Sequence, residues 1–209
     1  MPAADRRDML IETAIETFAK KGFYATTMEE VASAAGITKP VIYQHFESKR
    51  ALYLAILTHV GTEMITAMRE ATAGAMTPHL RFDRGFEAYF RFVYEHKTAF
   101  ELIFASGPRR DPEFREIVNR VEEEIAEHVT REIHANIDDA HRRLVAAGVQ
   151  SLAEGIIRRY MKEHAKELDA NGNELPFEDS VAHIWCRRMS NLMWAGLRGL
   201  KRDSSATGD

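Results

Sequence analysis

Between Gly36 and Lys49 the stretch GITKPVIYQHFESK gathers side chains able to donate hydrogen bonds to an anion or to a base edge: Thr38, Lys39, Tyr43, Gln44, His45 and Lys49. Thr26 and Thr27 stand a little upstream. Hydroxyl and ammonium groups suit phosphate oxygens, while amide and imidazole groups can read base edges in a groove. Lys39 and Lys49 also fall where two helices begin, and a cation in a helix's first turn is normally unfavourable by roughly 0.3 to 1 kcal/mol. A phosphate against the start of the later helix would offset that cost, because the free N–H groups and the Lys49 ammonium would face the same anion.

These residues need short, well-held helices, and the sequence predicts them. Ile11, Ala14, Ile15, Phe18 and Ala19 recur at helical spacing, and Gly22 ends that first helix. Thr27 and Glu30 form a T-x-x-E capping box for a second helix, which a turn at Gly36 closes. A third helix follows from Thr38 to about His45, with Pro40 in its first turn. Two turns are too few to be stable alone. Ile37, Ile42 and Phe46 are therefore expected to face inward, leaving Thr38, Lys39, Val41, Tyr43, Gln44 and His45 for a partner. Ser48 caps a long fourth helix running into the seventies. Two helices joined by a tight Gly-containing turn form the layout of a helix-turn-helix, whose second helix enters the DNA major groove. On this reading Thr26, Thr27, Tyr43 and Lys49 meet phosphates, and Thr38, Lys39, Gln44 and His45 lie closer to bases.

The stretch LIETAIETFAKKGFYATTMEEVASAAGITKPVIYQHFESKRALY resembles the DNA-binding domain of the TetR family of bacterial transcriptional regulators. The resemblance implies a homodimer on a palindromic operator, and a larger helical domain that binds a small effector. It also implies backbone contacts from Thr27, Tyr43 and Lys49, and sequence selection by Thr38, Lys39, Gln44 and His45. Pro40 and Val41 depart from the family pattern of a small residue followed by a hydroxyl residue. An apolar Val41 can touch a thymine methyl, so the operator does not carry over. Arg6 and Arg7 fit either a minor-groove arm or a solvated helix start.

Beyond the fourth helix, breaks at GAMTPHL, ASGPRRDP and DANGNELP separate helices expected near 80–95, 97–105, 111–136, 138–166 and 177–200. The fold class is all-α. The expected organisation is a head over residues 1–50, a helical effector-binding and dimerisation body over 51–202, and a disordered polar tail over 203–209. Seven of the eleven phenylalanines lie between Phe82 and Phe114, more than a single core stripe needs. An apolar cavity lined by Met64, Met68, Phe86, Phe90, Phe100 and Phe104 is the expectation, suited to a small lipophilic effector. The runs FELIFASGPRRDPEF and RRLVAAGVQSLAEGIIRRYM resemble the fatty-acid or acyl-CoA-sensing subgroup of the family, and Arg109 and Arg110 could meet an anionic headgroup. The last two long helices carry apolar stripes with small residues interspersed. Val149, Leu152, Ile156, Trp185, Met189, Leu192 and Gly196 are expected at a twofold interface.

Composition bounds the alternatives. Twenty-eight basic against 32 acidic residues give a net charge of −4, so any nucleic-acid site is a local patch. No stretch of about 18 uncharged apolar residues appears, and none is expected to cross a membrane. The single cysteine, Cys186, reads as a buried thiol in a reducing cytoplasm. An enzyme is the first rival: Glu124, His128 and Glu132 share a helical face, but no second helix offers matching metal-ligand spacing. No phosphate-binding glycine loop or nucleophile elbow is present either. No metal, cofactor or catalytic residue is expected. The second rival is a helical module whose head binds protein and not DNA.

Overall fold

The computed structural model describes residues 3–104, 111–133, 135–164 and 167–200. They form α1 (Ala3–Ala25), α2 (Met28–Ala34), α3 (Lys39–His45), α4 (Lys49–Thr72), α5 (Pro78–Glu95), α6 (Lys97–Phe104), α7 (Pro112–Glu132), α8 (Asp139–Glu163) and α9 (Val181–Arg198). A 3-10 turn at Phe177–Asp179 precedes α9. The all-α expectation holds: among the described residues, extended pairing is confined to one bridge, Leu168 to Glu174. The predicted tail, Arg109 and Arg110 lie outside the described residues.

Two compact units divide the chain: residues 1–63 with 96–121, and residues 64–95 with 122–209. The boundaries fall within α4, between α5 and α6, and within α7. Within the first unit, α1 buries Leu10, Ile11, Ala14 and Phe18, α2 buries Val31, α3 buries Ile42, and α4 buries Leu52, Tyr53 and Ile56. The Tyr53 hydroxyl donates to Leu102 O at 3.0 Å, tying α4 to α6. Phe23 stacks edge-on against Phe114 at 5.0 Å. Gly61 lets α4 approach α7 closely, since a Cβ there would stand 2.3 Å from Val121 Cγ2.

In the second unit α5 packs on α9. Phe82 lies 5.9 Å from Trp194, and the Ser190 hydroxyl donates to the Asp83 carboxylate. The inner face of α9 is made of small residues and one methionine: Ala182, Cys186, Ser190 and Met193. Cys186 is buried, and burial pushes its thiol up to about 12. Near the α7–α8 connection Ile133, Ile137 and Ala146 form a satellite core.

By length and composition α4 is apolar enough to cross a membrane, which the count of uncharged residues did not suggest; half of that stretch is buried inside the protein, as in a core helix.

Candidate nucleic-acid interface

The helix-turn-helix begins with the predicted cap. Thr27 Oγ1 accepts from Glu30 N at 3.2 Å, and Glu30 Oε2 accepts from Thr27 N at 2.9 Å, closing the capping box of α2. The turn after α2 is a Schellman motif. Ile37 N donates to Ala32 O at 2.9 Å and Gly36 N to Ser33 O at 3.1 Å, with Gly36 at φ 66°. This fixes where α3 starts. Thr38 caps α3 with its backbone alone and makes no side-chain cap bond, so its hydroxyl is not committed to the helix.

Ile42 and Phe46 are buried, which anchors α3 along one side. Thr38, Lys39, Tyr43 and Gln44 are exposed on the other, with Val41 and His45 half-buried. The Lys39 ammonium pairs with Glu29 of α2 and lies 5.9 Å from the Tyr43 ring. That bond from Lys39 holds the Glu29 carboxyl below its usual range, and Glu29 in turn raises Lys39. The first-turn cation of α3 is thus balanced by a neighbouring carboxylate.

Lys49 has a different partner from the expected one. Its Nζ donates to Tyr24 O at 3.1 Å and Thr26 O at 2.8 Å and sits 4.8 Å from the centre of the Phe23 ring. Gly22, at φ 78° and ψ 164°, breaks α1 as its sequence predicts, and two backbone carbonyls beyond that break offset the cost of a cation at the start of α4 without any phosphate. Thr26 departs further from expectation. It is fully buried and its hydroxyl donates to Gly22 O at 2.8 Å, so it cannot reach DNA. Thr27 remains exposed, with its hydroxyl proton free of the cap. Arg7 stacks over the Phe46 ring at 5.0 Å, which ties it to the end of α3.

Arg50 is a contact that sequence reasoning missed. Its guanidinium makes two bonds of 2.7 Å to Asp111 and a third of 2.5 Å to Glu113, fastening the first turn of α4 to the start of α7. Partners about sixty residues apart leave no local signal. On the face shared by Glu124, His128 and Glu132, Glu124 pairs with Arg69 at 3.5 Å and Glu132 with Arg81 at 2.7 Å. Among the described residues, Glu12, His59 and Glu63 do converge within 4.8 Å, as an imidazole between two exposed carboxylates.

The aromatic region encloses a cavity of about 40 Å³ in the second unit. Met68 and Phe86 line it as expected. Met64 and Phe90 are buried elsewhere, Phe100 belongs to the core of the first unit, and the Phe104 side chain lies outside the described residues. The rest of the lining comes from Phe82, Gly85 and Tyr89 on α5, Ile125, His128 and Val129 on α7, and Val149, Gln150 and Ala153 on α8. Val149, expected at the dimer interface, therefore faces the cavity. The periodicity of Ile125 and Val129 on α7 was the signal for this wall. Burial lowers the pKa of His128.

A head of three helices with a Schellman turn and a short exposed helix defines a helix-turn-helix DNA-binding protein. Residues 10–56 match the sequence model of the bacterial regulatory proteins of the tetR family. The chain is 31% identical over 187 residues to the HTH-type transcriptional activator FasR of Mycolicibacterium smegmatis, covering 88% of this chain and 84% of that protein. It is 30% identical over 107 residues to the HTH-type transcriptional repressor KstR2 of the same organism, covering 51% and 52%. A TetR-like regulator from Rhodococcus sp. RHA1 shares the fold at TM-score 0.74 and 20% identity, over 96% of this chain and all of that one. The regulator FadR of Bacillus subtilis, solved with stearoyl-CoA, does so at 0.72 and 13%, over 90% and 98%. The chain belongs to the TetR family. It is a DNA-binding transcriptional regulator and not an enzyme.

Proposed function

We propose that the protein acts as a homodimer in the cytoplasm, reading a palindromic operator through α3 and responding to a small lipophilic effector, a fatty acid or acyl-CoA, held in the second unit. The observation that carries the reading is the division of α3, with Ile42 and Phe46 inward and Thr38, Lys39, Tyr43 and Gln44 exposed. Gln44 and Thr38 suit base edges, with Lys39, Val41 and His45 beside them; Thr27, Tyr43 and the unused Lys49 proton suit phosphates. Gln44→Ala is expected to reduce discrimination between the operator and a scrambled duplex by roughly 5- to 150-fold, the range for one bidentate base contact, while non-specific binding stays unchanged. Fluorescence anisotropy on both duplexes checks this; equal losses on both would remove Gln44 from sequence reading.

The α8–α9 surface supports the dimer. Leu152, Ile184 and Leu192 are exposed to 44, 46 and 61%, and added Cβ atoms at Gly148, Gly155 and Gly196 would meet nothing within 4 Å. Ile156, Trp185 and Met189 lie half-buried beside them. Such faces are covered in a stable protein, and a second copy matches a twofold four-helix contact.

The cavity as it stands admits a water or two and no acyl chain. Effector binding therefore requires the rings of α5 to part from α7 and α8, and that rearrangement is what can couple to DNA. By linkage, DNA must weaken effector binding by the factor that effector weakens DNA binding. Repression is the sign we propose, with FasR as a relative of opposite sign; operator position relative to the promoter sets it.

A further inference from the structure

Resting on the effector reading above, we propose that His128 selects the ligand's polar group: the cavity takes an acyl chain whose oxygen is uncharged, such as an ester, thioester or hydroxyl, and rejects the free carboxylate. His128 is 9% exposed and lines the cavity, and its Nε2 is buried without a hydrogen-bond partner. Gly85 stands opposite. A Cβ there would lie 3.6 Å from Nε2 and 3.2 Å from Thr72 Cγ2, so only a glycine at this position leaves the cavity side of that nitrogen uncovered by a side chain. A buried imidazole nitrogen without a partner costs free energy, which a ligand oxygen recovers.

The charges around the cavity decide which oxygen. Among the described residues lining it, Arg81 is the single lysine or arginine, and it is already paired. Its Nε donates to Glu132 at 2.7 Å and its Nη1 to Ala75 O at 2.8 Å. That pair is neutral as it stands. A ligand carboxylate would add an uncompensated negative charge beside Glu132 in a largely apolar site, at high desolvation cost. Burial also favours the uncharged imidazole. A carbonyl oxygen can accept from Nε2–H, and a hydroxyl can serve either tautomer.

The test uses the full-length protein with two probes of equal chain length, methyl decanoate and decanoate, their dissociation constants measured by equilibrium dialysis at pH 7.5. The ester is expected to bind at least tenfold more tightly. His128→Phe keeps a ring and removes the donor, and is expected to weaken the ester roughly five- to tenfold, the effect of one hydrogen bond, with little change for decanoate. His128→Gln, which keeps a donor and an acceptor, is expected to recover most of that loss. Cooperative melting of each variant confirms folding. Ester binding no better than carboxylate, or unchanged in a folded His128→Phe, overturns the inference alone and leaves Nε2 as a site for water. Failure of both probes to bind the wild type overturns the effector reading as well.

Discussion

Lys49 and Lys39 both occupy the first turn of a helix, and each has a partner that makes the position tolerable. For Lys49 these are the carbonyls of Tyr24 and Thr26. For Lys39 it is the Glu29 carboxylate, and this pair is exposed on both sides. An exposed ion pair is weak and exchanges readily, so the pair leaves Lys39 available for the proposed phosphate or base contact. Glu29→Gln should release it. Non-specific DNA affinity is then expected to rise about threefold, and the slope of log affinity against log salt to steepen by about one unit, the signature of one added phosphate contact. Anisotropy titrations across a salt series test this, and an unchanged slope would mean that Lys39 does not meet phosphate. The Thr27–Glu30 box and the Ser48 cap, which accepts from Ala51 N at 3.0 Å, were legible in the sequence because both partners lie within one turn. The Lys49 and Arg50 contacts were not, because their partners are brought in by folding over 23 to 63 residues. Burial of Thr26 was hidden for a different reason: its partner, the Gly22 carbonyl, is only four residues away, but whether a hydroxyl beside a cap turns to that carbonyl or to solvent is decided by packing.

At the scale of elements, the join between α2 and α3 carries the function, since it sets the direction of the exposed helix. Gly36 holds it at φ 66°, and a Cβ there would meet nothing within 4 Å. The whole cost of Gly36→Ala is therefore backbone strain, about 1 to 2 kcal/mol for a non-glycine residue in the left-handed region. That corresponds to a fall in melting temperature of roughly 2–8 °C for a protein of this size. Scanning calorimetry measures it, and an unshifted transition would show that the turn does not need its glycine. Helix order followed from period and breakers alone, because Gly, Pro and Asn–Gly punctuation is local. The faces of α7, α8 and α9 did not. Val149 carries the same apolar character whether it meets a cavity or a second copy, and the inner face of α9 relies on Ala182, Cys186 and Ser190, which no hydrophobic stripe marks. The effector residues Phe90 and Phe100 were misplaced in the same way, since an aromatic count cannot distinguish core from cavity wall.

For the whole molecule, the proposed dimer would turn two weakly binding heads into one specific reader. Leu192 is 61% exposed in one chain, so Leu192→Glu should leave the melting of the protomer nearly unchanged while placing a carboxylate in the proposed twofold contact. The variant is expected to be monomeric by light scattering and to bind a palindromic site roughly a hundredfold or more weakly, the scale of lost avidity. A Leu192→Glu protein that remains a tight dimer would move the interface away from this face.

The central claim, that α3 of each protomer reads DNA, is tested most directly by selection of sites from a random duplex library with the purified protein, followed by anisotropy on the winners at two salt concentrations. The account predicts an inverted repeat with half-sites about one helical turn apart, or a multiple of it, and affinity that falls steeply as salt rises. A library with no enriched sequence, and binding indifferent to salt, would contradict it.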